Sequence, residues 1–186
     1  MSQEPKPWQT QSTRVILDLS PWFSVVKDSV ALPSGRIVDD FYRIAAPDYV
    51  LIAARAERQF LMEQHYKHCL QRNIITCPAG GVNDGEAPLD AAKRELLEET
   101  GYEAAQWEEL GSFVVDGTRG ICRAHFFLAE GLTWTTTPVS NDMEECQLLF
   151  MSDADIRQAV RTSDICLLPD IALLSMLSPN LLQRAP

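Results

Sequence analysis

Most of the chain consists of short runs of β-branched and aromatic residues broken by Gly, Pro and charged clusters, and three stretches switch to helical spacing. Runs at 15–17, 22–30 and 37–44 predict an antiparallel meander, with Pro33-Ser34-Gly35 turning the chain between the last two. Ahead of them residues 1–12 are polar and include Pro5 and Pro7, which reads as a loose arm, with Trp8 either docked or exposed. Strands follow at 49–55 and 59–64 about a turn at Ala56-Glu57-Arg58, then at 73–77, leading into a loop with Gly80, Gly81 and Gly85. Helical spacing takes over after the loop. Pro88 suits a first turn, where a missing N–H costs little, and Gly101 is a natural stop. Leu89, Ala92, Leu96 and Leu97 fall on the side of this helix that can pack inward. Strands at 107–115 and 121–129 flank the turn Asp116-Gly117-Thr118-Arg119-Gly120, residues 132–141 read as a Thr-rich loop, and 145–151 as a last strand. Ser152 can cap a helix over 153–161 with Asp155 in its first turn, and a final helix spans 169–177. With no internal repeat or low-complexity block, the pattern predicts an α/β architecture, a mixed sheet between helices.

Composition narrows the class without changing the picture. The chain has 186 residues, 46% hydrophobic and 23% charged, which suits one domain with a proper core. A formal net charge of −10 disfavours nucleic acid and anionic membranes as partners, because these call for basic patches. It also means that an anionic substrate needs metal ions and local Arg or Lys to approach. Cys69, Cys77, Cys122, Cys146 and Cys166 are odd in number and contain no Cys-x-x-Cys pair, so they read as reduced core or near-core residues of a cytoplasmic protein. His65 and His68 near Cys69 match no common zinc spacing. The opening residues do not read as a signal peptide, and no run of about 18 apolar residues is present to span a membrane.

The candidate chemistry sits in residues 78–102. Glu95, Glu98 and Glu99 stand at i, i+3 and i+4, so their carboxylates share one helix face. Mutual repulsion gives a surface helix nothing, whereas a hard divalent cation, which takes oxygen ligands, turns the arrangement into a site. The plainer reading is a solvated acidic face partnered by Lys93 and Arg94. The wider spacing decides between them: Gly80, five residues, Glu86, seven residues, Arg94-Glu95-Leu96, one residue, Glu98-Glu99, one residue, then Gly101 and Tyr102. This resembles the Nudix box, the signature of the Nudix hydrolases, with every fixed position filled and Tyr102 at a place more often aliphatic.

The resemblance implies an α/β/α sandwich with a mixed sheet plus N-terminal antiparallel strands. Residues 13–46 would be a dimerisation meander that exchanges strands, and 47–186 the hydrolase domain. The flanks resemble the ADP-ribose and nucleoside-diphosphate-sugar pyrophosphatase branch: Asp40-Phe41-Tyr42-Arg43-Ile44, Tyr66-Lys67-His68, Pro78-Ala79-Gly80, Phe126-Phe127-Leu128-Ala129 and Asp142-Met143-Glu144-Glu145. Three departures stand out. Lys67 replaces an Arg, Thr76 replaces an acidic residue often found two before Pro-Ala-Gly, and the turn at 116–120 replaces a Ser-Pro-Gly turn that marks ADP-ribose hydrolases. The substrate class implied is therefore a nucleoside diphosphate sugar, ADP-ribose, GDP-mannose or similar, cleaved to a nucleoside monophosphate and a sugar phosphate.

The same resemblance implies Mg2+, with Mn2+ able to substitute, held by the carbonyl of Ala79 and by Glu95, Glu98, Glu99 and Glu144. Gly80, Glu86, Arg94 and Gly101 would shape the loop and orient those carboxylates. The catalytic set is Glu98 with the acidic loop, where Asp142 aligns as the base and Glu145 is an alternative beside Glu144. Candidate substrate contacts are Trp22, Phe41, Tyr42, Arg43, Lys67 and Arg119, the aromatics serving equally well as meander core. The expected assembly is a homodimer. Competing functions are hydrolysis of another X-linked nucleoside diphosphate, such as a dinucleotide or nucleotide coenzyme, and a non-catalytic nucleotide-sugar sensor.

Overall fold

A computed structural model describes residues 4–138, 145–178 and 180–182. The chain divides into two compact units, residues 1–47 with 114–123, and residues 48–113 with 124–186.

In the first unit, β1 (Gln9–Leu19), β2 (Phe23–Ala31) and β3 (Ile37–Ala45) form an antiparallel sheet in the order β1-β2-β3. Its anchor is a buried carboxylate. Asp28 accepts from Thr13 Oγ1 at 2.8 Å and from Arg43 Nε at 2.6 Å, tying both outer strands to β2. The Arg43 bond holds its carboxyl below the usual range against the opposing effect of burial. The turn at 116–120 folds onto β3, with Ile44 N–H donating to the Arg119 carbonyl at 3.1 Å and Ala46 N–H to that of Ile121 at 3.0 Å. The expected arm is shorter than its composition implies, because β1 starts at Gln9 and pairs Thr10 with Val30 and Ser12 with Ser29. A ladder needs only backbone groups, so polar side chains did not prevent it. Trp8 meets Phe41 edge-on at 5.9 Å between ring centroids.

The second unit is built on a seven-stranded mixed sheet, β10-β5-β4-β9-β8, with β6 added on β5 and β7 on β4. The strands are β4 (Tyr49–Ala56), β5 (Gln59–Lys67), β6 (Arg72–Thr76), β7 (Ala79–Gly81), β8 (Tyr102–Val114), β9 (Arg123–Trp134) and β10 (Cys146–Ser152). The helices are α1 (Pro88–Thr100), α2 (Asp153–Arg161) and α3 (Leu168–Leu177). β4 and β9 run parallel, whereas β5 is antiparallel to β4, β6 and β10. Alternate residues of β4 feed two cores. Leu51 and Ala53 pack with Phe126, Leu128, Ile156 and Leu173, while Val50, Ile52 and Ala54 pack with Phe127, Ala91, Ala92 and Leu96. Burial on both faces explains why β4 reads as one apolar run. This is the mixed sheet between helices that the pattern predicts. No helix among the described residues is long and apolar enough to cross a membrane.

Some expectations need correction. Ala79–Gly81, read as loop, pairs with Tyr49–Leu51 of β4. β8 begins at Tyr102 rather than 107, and β9 extends through residues assigned to the Thr-rich loop. Leu89 is 37% exposed instead of inward, since Ala91 and Ala92 take the contact with the sheet. Cys69 lies in a short 3-10 turn and Cys146 opens β10, and both are exposed; Cys77 is buried, and all five cysteines are unbridged.

One irregularity positions the site. β4 pairs with β5 only at Ala54–Ala56, and its other half, Tyr49–Leu51, pairs with β7. Between β5 with β6 on one side and β4 with β7 on the other opens a cavity of about 490 Å3.

Candidate active site

Gly80 brings the loop against α1. A Cβ at this position would overlap the Glu95 carboxylate, so glycine leaves the space in which that side chain lies. Ala91, Ala92 and Leu96, all buried against β4, hold α1 at that distance. Pro88 starts the helix and Gly101, at φ +73°, ends it with its N–H on the Leu97 carbonyl at 2.9 Å.

Arg94 organises the acidic residues. Its Nε and Nη2 grip Glu86 at 2.9 Å each, and Nη2 also donates to the Gly81 carbonyl at 2.9 Å. Its Nη1 donates to Glu95 at 2.6 Å and to Glu98 at 3.3 Å. The Arg94 bond, helped by the Asn83 N–H at 3.0 Å, draws the Glu86 carboxyl down to about 2. The same contacts push the Arg94 guanidinium up, so it stays charged at all accessible pH. Glu99 accepts from Ala79 N–H at 3.0 Å, which sets the third helix carboxylate beside the first residue of β7.

Among the described residues, no three His, Cys, Asp or Glu groups converge as a metal cage. Two of the helix glutamates turn to Arg94 and the third to a backbone N–H. The donor set nevertheless fits a hard divalent cation. All three donors are carboxylates, and a positive nitrogen already occupies the point where Glu95 and Glu98 meet. Glu95 is 13% exposed and Glu98 51%, so one side of the cluster is open to incoming ions.

The cavity adjoins this cluster, sharing Ala79 and Glu99 with it. Glu63, His65 and Lys67 of β5 line it, as do Thr76 of β6, Cys77 and Asp170. Asp170 is 2% exposed and accepts the Cys77 N–H at 2.6 Å. Burial pushes its carboxyl up to about 6, against the opposing Cys77 bond and the Lys67 charge. Burial, with the charges of Asp170 and Glu63, pushes the Cys77 thiol up as well, so it is no nucleophile. His65 Nε2 lies 3.3 Å from Thr76 Oγ1.

The sequence-predicted residues fall into three groups. Glu95, Glu98, Glu99, Ala79, Gly80, Glu86 and Arg94 come together, and Lys67 lines the adjoining cavity. Trp22, Phe41, Tyr42, Arg43 and Arg119 belong to the first unit, where Arg43 is engaged with Asp28 and Arg119 with Asp116 at 3.2 Å. Asp142 and Glu144 lie outside the described residues, while Glu145 lines a groove with His65 and Cys146, two residues that also line the cavity. Glu63 and Asp170 were missed. A charge directly after the apolar run Phe60-Leu61-Met62 was the available signal for Glu63.

Comparison with known proteins bears on the same regions. A family model described as NUDIX domain matches residues 46–170, and one described as nucleoside diphosphate sugar hydrolase N-terminal domain matches residues 8–44. The chain is 33% identical over 118 residues to the methanol dehydrogenase activator of Bacillus methanolicus, covering 63% of this chain and 64% of that protein. It is 26% identical over 134 residues to the ADP-ribose pyrophosphatase of Bacillus subtilis (strain 168), covering 72% and 71% respectively. The first alignment thus spans just under two thirds of the relative's length. A crystal structure of an ADP compounds hydrolase superimposes with a TM-score of 0.83 over 96% of both chains at 15% identity, a likeness of fold.

Proposed function

The chain belongs to the NUDIX domain family, and on that premise we propose that it hydrolyses the diphosphate bond of a nucleoside diphosphate sugar, giving a nucleoside monophosphate and a sugar phosphate. The observation that carries the reading is the turn of three glutamates opening onto the cavity through Ala79 and Glu99. The match of residues 8–44 to the N-terminal domain of nucleoside diphosphate sugar hydrolases supports the substrate class.

Nudix hydrolases generally depend on a divalent metal. In this chain Glu95, Glu98 and Glu99, the Ala79 carbonyl and Glu144 would hold it, and magnesium, with manganese able to substitute, suits an all-oxygen set. When bound, such an ion offsets diphosphate charge and makes water a better nucleophile at neutral pH. Glu86 fixes the Arg94 guanidinium, and Arg94 in turn orients Glu95 and Glu98. Lys67 supplies a positive charge in the cavity for phosphate oxygens, as a point charge rather than a fork. Asp142, or Glu145 beside His65, accepts the proton of the attacking water. The protein acts as a homodimer through the first unit, whose β1 exposes Val15, Ile16, Leu17 and Leu19 along an edge that pairs with no strand among the described residues.

The test is hydrolysis of a panel of ADP-ribose, ADP-glucose, GDP-mannose, UDP-glucose, NAD, diadenosine polyphosphates and nucleoside triphosphates, with magnesium and with manganese. Preferential turnover of diphosphate sugars is expected. Preference for the dinucleotides would reassign the substrate class, and tight binding without turnover would leave a sensor.

A further inference from the structure

We propose that Asp170 is a positioning residue for the cation site: it holds the Cys77 N–H, and so fixes the short connection that sets the Ala79 carbonyl beside Glu99. The assignment rests on the reading above that Ala79 and the α1 glutamates hold a divalent cation.

The connection is a two-residue crossing between strands. The β5–β6 ladder ends at the rung Glu63–Thr76, and the β4–β7 ladder includes Leu51–Ala79, so Cys77 and Pro78 span the gap from one to the other. Pro78 has no N–H, which leaves the Cys77 N–H as the backbone donor of the pair. Its acceptor is Asp170 Oδ1, at 2.6 Å and 93 residues further along the chain. The Pro78 carbonyl accepts from Ile52 N–H at 2.9 Å, and Ala79 N–H donates to Glu99 at 3.0 Å. Three successive residues are thus held by α3, β4 and α1. Along an extended strand the N–H and C=O of one residue point to the same edge. Ala79 therefore turns its carbonyl to the edge on which its N–H meets Glu99, while the Pro78 carbonyl faces β4.

Asp170 is itself firmly seated. It lies in the first turn of α3 and is 2% exposed, and Leu173 and Leu174, one turn on, are buried with Leu51 and Ala53 of β4. A carboxylate in a first turn ordinarily serves the free N–H groups of its own helix, a role that the surface can supply. Burial adds a cost which that role does not require and which the bond to Cys77 offsets. Asp170, Cys77, Ala79 and Glu99 line the same cavity. Glu99 is shared between the Ala79 bond and the ion, whereas Asp170 holds the connection whether or not an ion is bound. A carbonyl fixed before the ion arrives is what a preorganised site needs.

The experiment measures manganese binding by calorimetry on the full-length wild type, Glu98→Gln, Asp170→Asn and Asp170→Leu at pH 7, with thermal melts of the metal-free proteins. Asp170→Leu, similar in size but without an acceptor, is expected to weaken manganese affinity by about 10–100-fold, and Asp170→Asn, which keeps the oxygen, to restore it to within about threefold of wild type. Wild-type affinity in a folded Asp170→Leu that merely melts lower would assign Asp170 to stability alone and overturn the proposal, as would an Asn variant that loses as much as the Leu variant. If Asp170→Leu fails to fold, Asp170→Ala is read by the same criteria, since it leaves room for water on the Cys77 N–H but no tether to α3. Manganese binding that is unchanged by Glu98→Gln would instead overturn the reading that the cation sits at the α1 glutamates, and this assignment with it.

Discussion

Arg94 is the residue on which the glutamate cluster depends. One guanidinium grips Glu86 with two nitrogens and spends the third on Glu95 and Glu98. A lysine keeps the charge but cannot make that fork. Arg94→Lys should therefore weaken divalent-cation affinity by about 10–100-fold, measured by calorimetry with manganese, with the far-ultraviolet spectrum unchanged. Unaltered affinity would show that the carboxylates orient themselves. Asp170 offers a second residue-scale test. Its carboxyl is raised from the ordinary 3.8 to about 6, so the folded chain keeps a proton that the unfolded chain has lost between roughly pH 4 and 6. The contribution of Asp170 to stability must fall as pH rises through that window and level off above it, by about 3 kcal/mol in all. Asp170→Asn keeps an acceptor for the Cys77 N–H and removes the titration. Urea unfolding at pH 4 and pH 7 should show the wild type losing about that much relative to the variant, and parallel profiles would refute the assignment.

At the scale of elements, the site is the approach of α1 to β7. A methyl group at Gly80 would strike the Glu95 carboxylate and displace it. Gly80→Ala is expected to leave β4 and the cores folded, since Gly80 contributes no side chain to either, while cation binding drops by at least about tenfold. A melting temperature that falls by many degrees together with binding would mean the loop is structural first. This element was also the most legible in the sequence. Pro88, Gly101, the glutamate spacing and the Ser152–Asp155 capping box of α2 are local signals, and local signals suffice for helices. β7 was not legible, because three residues with two glycines become a strand only by pairing with β4. The early start of β8 has the same cause, since residues 103–106 carry little strand propensity of their own. Glu63 was hidden for a related reason. Its place in the cavity wall depends on the parting of β5 from β4, a tertiary event that no window of sequence records.

The whole molecule carries a formal charge of −10 and exposes the apolar residues of β1. The charge makes the local cations, Arg94 and Lys67, decisive for an anionic substrate, and it speaks against nucleic acid as a partner. An exposed apolar edge strand invites pairing with a second chain. Val15→Asp with Leu17→Asp should convert a dimer to a monomer by sedimentation, because both side chains are exposed and add nothing to the chain's own core. A wild type that sediments as a monomer would remove the dimer from the account. The central claim, hydrolysis of a diphosphate at the glutamate helix, is tested most directly by product analysis in oxygen-18 water. The preferred diphosphate sugar is incubated with magnesium, using the wild type and Glu98→Gln. The account predicts a nucleoside monophosphate and a sugar phosphate, one of them carrying a single heavy oxygen, with the rate in the variant reduced by at least about 100-fold, more than loss of an orienting partner costs. Release of other products, or full activity in Glu98→Gln, would contradict it.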